Sequence, residues 1–268
     1  MSLFLDALRM GFMQRALLAG TFIAVGCACL GVFMVLRRQA MIGDGLAHFT
    51  FAAVGLGLLL GAAPLAVAAP LVVVASLLIL LLPEKTALLG DAAIGMISAL
   101  GLAGGILLAS LGHGINVDLF SYLFGDILAV SHLEAVFAVL ASLAVVGLIA
   151  LNYHDLFALT FDPAQARVSG VRPERLTRLL AVLVGLVVVL GVRVVGTLLI
   201  SGLLVFPAAT ALQVARSFRA ALWIAALVAA ASVLLGIALA FLLNLPAGAA
   251  IILLNALFFS AAFLRPRR

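Results

Sequence analysis

RRQAMIGDGLAHFTFAAVGLGLLLG, residues 37–61, opens on two arginines and then runs to its end with only two ionisable side chains, Asp44 and His48. A run of that length crosses a hydrocarbon layer of roughly 30 Å as a helix, and the arginines mark a rim where it leaves the layer. Similar runs recur along all 268 residues, of which 67% are hydrophobic and 9% charged; mean hydropathy is +1.40. A soluble domain carries roughly a quarter of its residues charged, so the chain is an integral membrane protein. A spanning β-barrel would show segments of alternating polarity about ten residues long, and none are present. The expected fold class is all-α, one polytopic unit over residues 1–268.

Candidate spans lie at 16–36, 41–62, 65–82, 92–111, 133–151, 178–192, 195–214, 220–242 and 247–264. The count is nine, or eight if the stretch that Arg193 interrupts is a single span; Arg193 then stands at the outer interface or faces a cavity. Placing Arg37 and Arg38 in the cytoplasm puts Lys85, Arg167, Arg172, Arg175, Arg178, Arg216, Arg219, Arg265, Arg267 and Arg268 on the same side. Twelve of the fifteen basic residues are then inside, against Arg9, Arg15 and Arg193 outside, the bias that membrane insertion imposes. The net charge of +5 reflects that inner-leaflet bias and gives no indication of nucleic acid. Residues 1–14 read as an amphipathic lead-in rather than a cleaved signal. Cys27 and Cys29, at i and i+2, point to different helix faces, so no disulfide framework or paired-cysteine metal site is implied.

Asp44 and His48 fall four residues apart, which stacks them on one helix face. If the second span starts just after Arg38, they lie roughly 9 and 15 Å into the layer at 1.5 Å per residue, with His48 near the midplane. Charged groups at that depth are expensive and usually face a polar interior, where a divalent cation would offset the cost. Imidazole with carboxylate suits zinc and is acceptable to manganese or iron. The plainer alternative is an interfacial cap at Asp44 and an interhelical hydrogen bond at His48. Two ligands do not fill a coordination shell, so Asp91 and Glu84 are further candidates, although Asp91 is better placed as the N-cap of the following helix. His113, Asp118 and His132 border the outer loop, 112–132, and could guide a cation inward. His154 and Asp155 sit at an inner helix end and receive no role.

The inner loop, 152–177, contains FDPAQARVSGVRPER. Asp162 as N-cap, Pro163 at the first helical position and Gly170 just past the end predict a short helix with Arg167 exposed. It is either a connector or a docking knob for a soluble partner. Pro207 predicts a kink and a freed carbonyl inside its span. No G-x-x-x-x-G-K-[ST] phosphate loop surrounds Lys85, the only lysine, and neither a G-x-S-x-G elbow nor an H-E-x-x-H helix occurs. The chain is expected not to be an enzyme; any ATP that drives it would act on another polypeptide.

Five segments in order, GDGLAH at 43–48, DAAIG at 91–95, LFGDILAVS at 123–131, DPAQARVSGV at 162–171 and VVGTLLISGLLVFPAATA at 194–211, make the chain resemble the permease subunits of bacterial ABC importers for zinc and manganese. Gly202 and Phe206 depart from the usual alanine-rich version of the last segment. The resemblance implies a homodimer in the cytoplasmic membrane that pairs with two copies of a separate ABC ATPase and receives metal from an extracytoplasmic binding protein. It implies that Asp44 and His48 contact the metal, and that Asp162 to Gly170, including Pro163, Ala166 and Arg167, form a coupling helix seated in the ATPase. The chain itself then binds no cofactor. Zinc is the preferred cargo, with manganese or iron as the alternative and an ATP-independent carrier as the reading from a different class.

Overall fold

The computed structural model describes residues 10–85, 90–111 and 130–264, so His113, Asp118 and residues 1–9 of the expected lead-in lie outside it. Eleven described helices follow in order: α1 Gly11–Leu36, α2 Ile42–Leu59, α3 Pro64–Lys85, α4 Gly90–Leu111, α5 His132–Leu151, α6 Tyr153–Phe161, α7 Pro163–Val168, α8 Pro173–Val195, α9 Thr197–Val214, α10 Phe218–Leu243 and α11 Ala247–Phe263. Seven are long and apolar enough to cross a membrane, and Leu199–Val214 and Ala247–Phe263 are two shorter apolar helices. These nine match the expected spans, and α6 and α7 account for the polar inner loop. The fold is all-α because within lipid a helix satisfies its own backbone hydrogen bonds.

Where α8 meets α9, Gly196 takes φ of +89°, a conformation that only glycine adopts cheaply. The turn splits the stretch that Arg193 interrupts, which settles its division into two helices. α8 starts earlier than expected, at Pro173, because its first turns are amphipathic. Pro173, Leu176, Thr177 and Leu180 are buried there while Glu174, Arg175 and Arg178 are exposed, so the helix projects beyond the apolar layer. α9 continues through Pro207 as one helix.

α1 forms the centre, with 72% of its most apolar stretch buried against α5, α8, α9 and α10. α4 lies at the rim with 22% buried. α2 sits between them, packed on α3, α4, α8 and α9. Helices here approach through small residues. A Cβ on Gly101 of α4 would collide with the backbone of His48 and Phe49, one on Gly45 would meet Ile94, and Gly55 faces Leu108. Both members of these pairs rise in number together, so α2 and α4 run parallel, as alternation across the membrane requires. Buried polar bonds add to the packing: Ser76 Oγ donates to the Ala181 carbonyl at 2.8 Å, and Ser232 Oγ donates to Asn255 Oδ1 at 2.9 Å. Cys27 and Cys29 are free and buried.

The close approach predicts that Gly101→Val destabilises the protein by about 1–3 kcal/mol or more through overpacking, read as a lower Tm in detergent. Gly147→Ala, where no atom stands within 4 Å, is expected to be neutral or to stabilise by up to about 1 kcal/mol. An unchanged Tm for the Gly101 variant would remove this seam from the fold.

Candidate functional site

α2 begins at Ile42, after a turn over Arg37–Met41, so the pair lies shallower than a helix starting at residue 39 would place it. Asp44 is in the first turn, and His48 is the seventh of 18 residues, on the inner side of the helix middle. The N-cap, Met41, makes no side-chain capping bond, and the N–H groups of Ile42 and Asp44 donate to the Gln39 and Met41 carbonyls, so the Asp44 carboxylate lies at the positive end of the helix dipole. His48 Nε2 stands 3.7 Å from Asp44 Oδ2, beyond the roughly 2.8 Å of a charge-assisted hydrogen bond. Zinc takes N and O donors at about 2.0–2.2 Å, so two atoms at this separation can flank one ion.

The side chains of His48 and Asp44 are 25% and 36% exposed. A carboxylate on that face is too costly to set against acyl chains, so the face needs an aqueous cavity or a second subunit. The backbone behind the pair is clamped. Gly43 packs on Ser201 and Leu204 of α9, Gly45 on Ile94, and Gly101 on the His48–Phe49 backbone. Thr50 Oγ1 donates to the Leu46 carbonyl at 2.7 Å, which satisfies that hydroxyl within its own helix.

Among the described residues, no group of three or more His, Cys, Asp or Glu is placed to enclose a metal. Asp91 is the second residue of α4 rather than its N-cap, because the helix already starts at Gly90; its side chain is exposed. The Glu84 side chain lies outside the described residues. His132 opens α5 and is exposed, while His154 and Asp155 sit in the first turn of α6.

α7 has the expected boundaries. Asp162 Oδ1 accepts from Gln165 N at 2.9 Å, and Pro163 occupies the first helical position. At the other end Val171 N donates to the Ala166 carbonyl at 3.0 Å and Gly170 N to the Arg167 carbonyl at 3.2 Å. With Gly170 at φ +86°, this is the Schellman pattern of paired bonds over a left-handed glycine. Ala166 is buried at 1% exposure, which pins the helix to the bundle, while Arg167 projects and lies 3.5 Å from Glu174.

Glu134 escaped the reading by sequence. Arg193 Nε donates to Glu134 Oε1 at 2.7 Å, across 59 residues of chain. Glu134 also closes a capping box with Ser131, and both charged residues border a cavity of about 160 Å³ with Thr50 and Val54. The S-x-x-E spacing before an apolar run was the readable signal, and the partner was not, since nothing local links α5 to α8.

Residues 9–265 match the ABC 3 transport family. The chain belongs to this family. It is 34% identical over 259 residues to a "Probable iron transport system membrane protein" of Haemophilus influenzae, covering 96% of this chain and 95% of that protein. It is 30% identical to the "Manganese transport system membrane protein MntC" of Listeria innocua, covering 98% and 94%. The "High-affinity zinc uptake system membrane protein ZnuB" of Haemophilus influenzae is 29% identical, covering 94% and 97%. Among solved structures, PsaBC from Streptococcus pneumoniae in complex with Fab matches with a TM-score of 0.87 at 31% identity, over 98% of this chain and 95% of that one. The permease is thus a multi-span protein of the bacterial inner membrane and the membrane subunit of a metal ABC importer.

The caps of α7 predict that Asp162→Ala costs about 1 kcal/mol of local stability and Gly170→Val about 1–2 kcal/mol for an L residue at that φ. Both should raise amide exchange in 163–168 and leave α8 protected. Unaltered exchange in either variant would show that the caps do not hold α7.

Proposed function

We propose that the permease carries a divalent first-row metal across the membrane by alternating access, with Asp44 and His48 contacting the ion in transit. The single observation that carries this reading is the half-exposed Asp44–His48 pair, set on a helix that glycine contacts hold rigid. Two donors from one chain bind weakly enough to release an ion, as a transit site must. Zinc is the preferred cargo because imidazole with carboxylate is a natural zinc donor set. Manganese is the second reading, favoured by relatives named for it and acceptable to the same donors.

Energy comes from a separate ABC ATPase, consistent with the lack of a phosphate-loop motif in the sequence. α7 is the coupling helix: Asp162, Pro163 and Gly170 fix its ends, Ala166 anchors it, and Arg167 faces the ATPase. An extracytoplasmic binding protein delivers the ion to the outer loops.

The functional unit is a homodimer, and the exposed face of α4 fits it best. Gly95, Ala99 and Ala103 recur there at four-residue spacing and are exposed, the small-residue pattern through which membrane helices approach closely. A second copy over this face would also enclose the neighbouring α2.

In vesicles holding the permease and its ATPase, zinc uptake should require ATP and fall by about tenfold or more in His48→Ala, with manganese as the competitor. Asp162→Arg should abolish transport-coupled ATP hydrolysis in a folded dimer. Normal transport by the His48 variant would return that residue to packing, and uptake by the permease alone would favour an ion-coupled carrier.

A further inference from the structure

A groove of about 410 Å³ opens where α1, α5, α6 and α10 meet, with no residue of α2, and so neither Asp44 nor His48, in its lining. Its floor is apolar, formed by residues such as Val25, Ile149 and Leu222, and its rim carries Tyr153, His154, Arg219 and Trp223. The volume lies in the roughly 300–1,000 Å³ range of organic ligand sites. Its depth is informative. Val25 stands eleven residues before the end of α1 at Leu36, roughly 16 Å at 1.5 Å per residue. Arg219 is the second residue of α10. The groove therefore runs from the cytoplasmic rim to about half of a roughly 30 Å hydrocarbon layer, the height of one leaflet.

The polar end is built for an anion. Arg219 supplies guanidinium donors, and His154 and Tyr153 supply ring N–H and phenol O–H. Arg216 adds a further exposed cation one turn before, and Asp155, beside His154 in sequence, is not part of the lining. Tyr153 is held by rings around it, with centroids 5.8 Å from Phe218 and 5.3 Å from His154. Trp223, the only tryptophan in the chain, is 64% exposed at the level where amphipathic rings settle in the interface.

We propose that this groove seats one anionic phospholipid of the inner leaflet, its acyl chain along the floor between α1 and α10 and its phosphate on Arg219 and His154. Basic pockets between helices on the cytoplasmic side are the general form of such sites. A zwitterionic lipid offers the same chains but no net charge for Arg219, so the groove selects by headgroup.

Trp223 makes the proposal measurable. The full-length permease is reconstituted in phosphatidylcholine vesicles with a small fraction of brominated phosphatidylglycerol or, in parallel, brominated phosphatidylcholine, and quenching of tryptophan emission is compared. The groove predicts an apparent affinity about fivefold higher for the anionic lipid. Arg219→Gln should bring that ratio close to one, whereas Arg175→Gln, on the exposed face of α8, should leave it unchanged. Ala226→Phe, which fills the floor and keeps every charge, should also remove the preference; quenching by a high fraction of brominated phosphatidylcholine confirms that each variant is inserted. Equal quenching by the two lipids in the unaltered protein would overturn the proposal. So would a preference that survives Arg219→Gln, or one lost equally in Arg175→Gln, which would mark general surface attraction.

Discussion

The contact on which the rest of the structure depends is the crossing of α2 and α4, where Gly101 lets one backbone rest on another at His48 and Phe49. Between helices in lipid there is little hydrophobic driving force, because acyl chains are as apolar as leucine. Cohesion has to come from close van der Waals contact and from a few polar bonds, and both require small residues at the crossings. Gly31 and Gly43 against Leu204, Gly185 against Val73 and Gly236 against Ile251 repeat the device, so the bundle is held by an interlocking set of backbone approaches. The site inherits its rigidity from them: Asp44 and His48 stand on a segment that cannot shift without moving α4 and α9.

The permease divides its polar groups by depth and by task. At the outer end the Glu134–Arg193 ion pair ties α5 to α8, and within the layer Ser232 with Asn255 and Ser76 with Ala181 satisfy one another between helices. At the inner end the groups stay near the surface: Arg167 on α7, exposed although 3.5 Å from Glu174, Arg219 on α10, and the pair on α2. α7 shows how a six-residue helix, too short to be stable alone, is made definite by a cap at each end and one buried alanine. In the proposed coupling role, a push on this short helix would pass to α8, because its C-terminal glycine turn leads directly into that long helix.

Several of these features could be read from the chain. Asp162-Pro163 and Gly170 announced α7 because capping is a local property, fixed by residues that are neighbours in sequence. The nine apolar helices were legible from run length and from the distribution of arginines, which respond to the bilayer one segment at a time. The start of α4 was misread by two positions, with Asp91 inside the helix rather than capping it, since helix starts are set by backbone geometry that a dipeptide pattern does not fix. Glu134 and Arg193 were invisible as a pair, for their contact depends on how α5 and α8 lie against each other.

The sequence by itself determined that the chain is an all-helical membrane protein with its basic residues biased to one side, that it carries an acidic–imidazole pair on one face of its second span, and that a capped helix lies between two spans. These follow from solvent and local stereochemistry, which act on each segment independently. Only the tertiary structure decided that α2 runs parallel to α4 with a glycine under His48, that Arg193 meets Glu134, and that Tyr153, His154, Arg219 and Trp223 share one groove. Those relations come from packing between distant segments, where the small residues that permit contact state that a helix can approach but leave its partner to be chosen by the whole bundle.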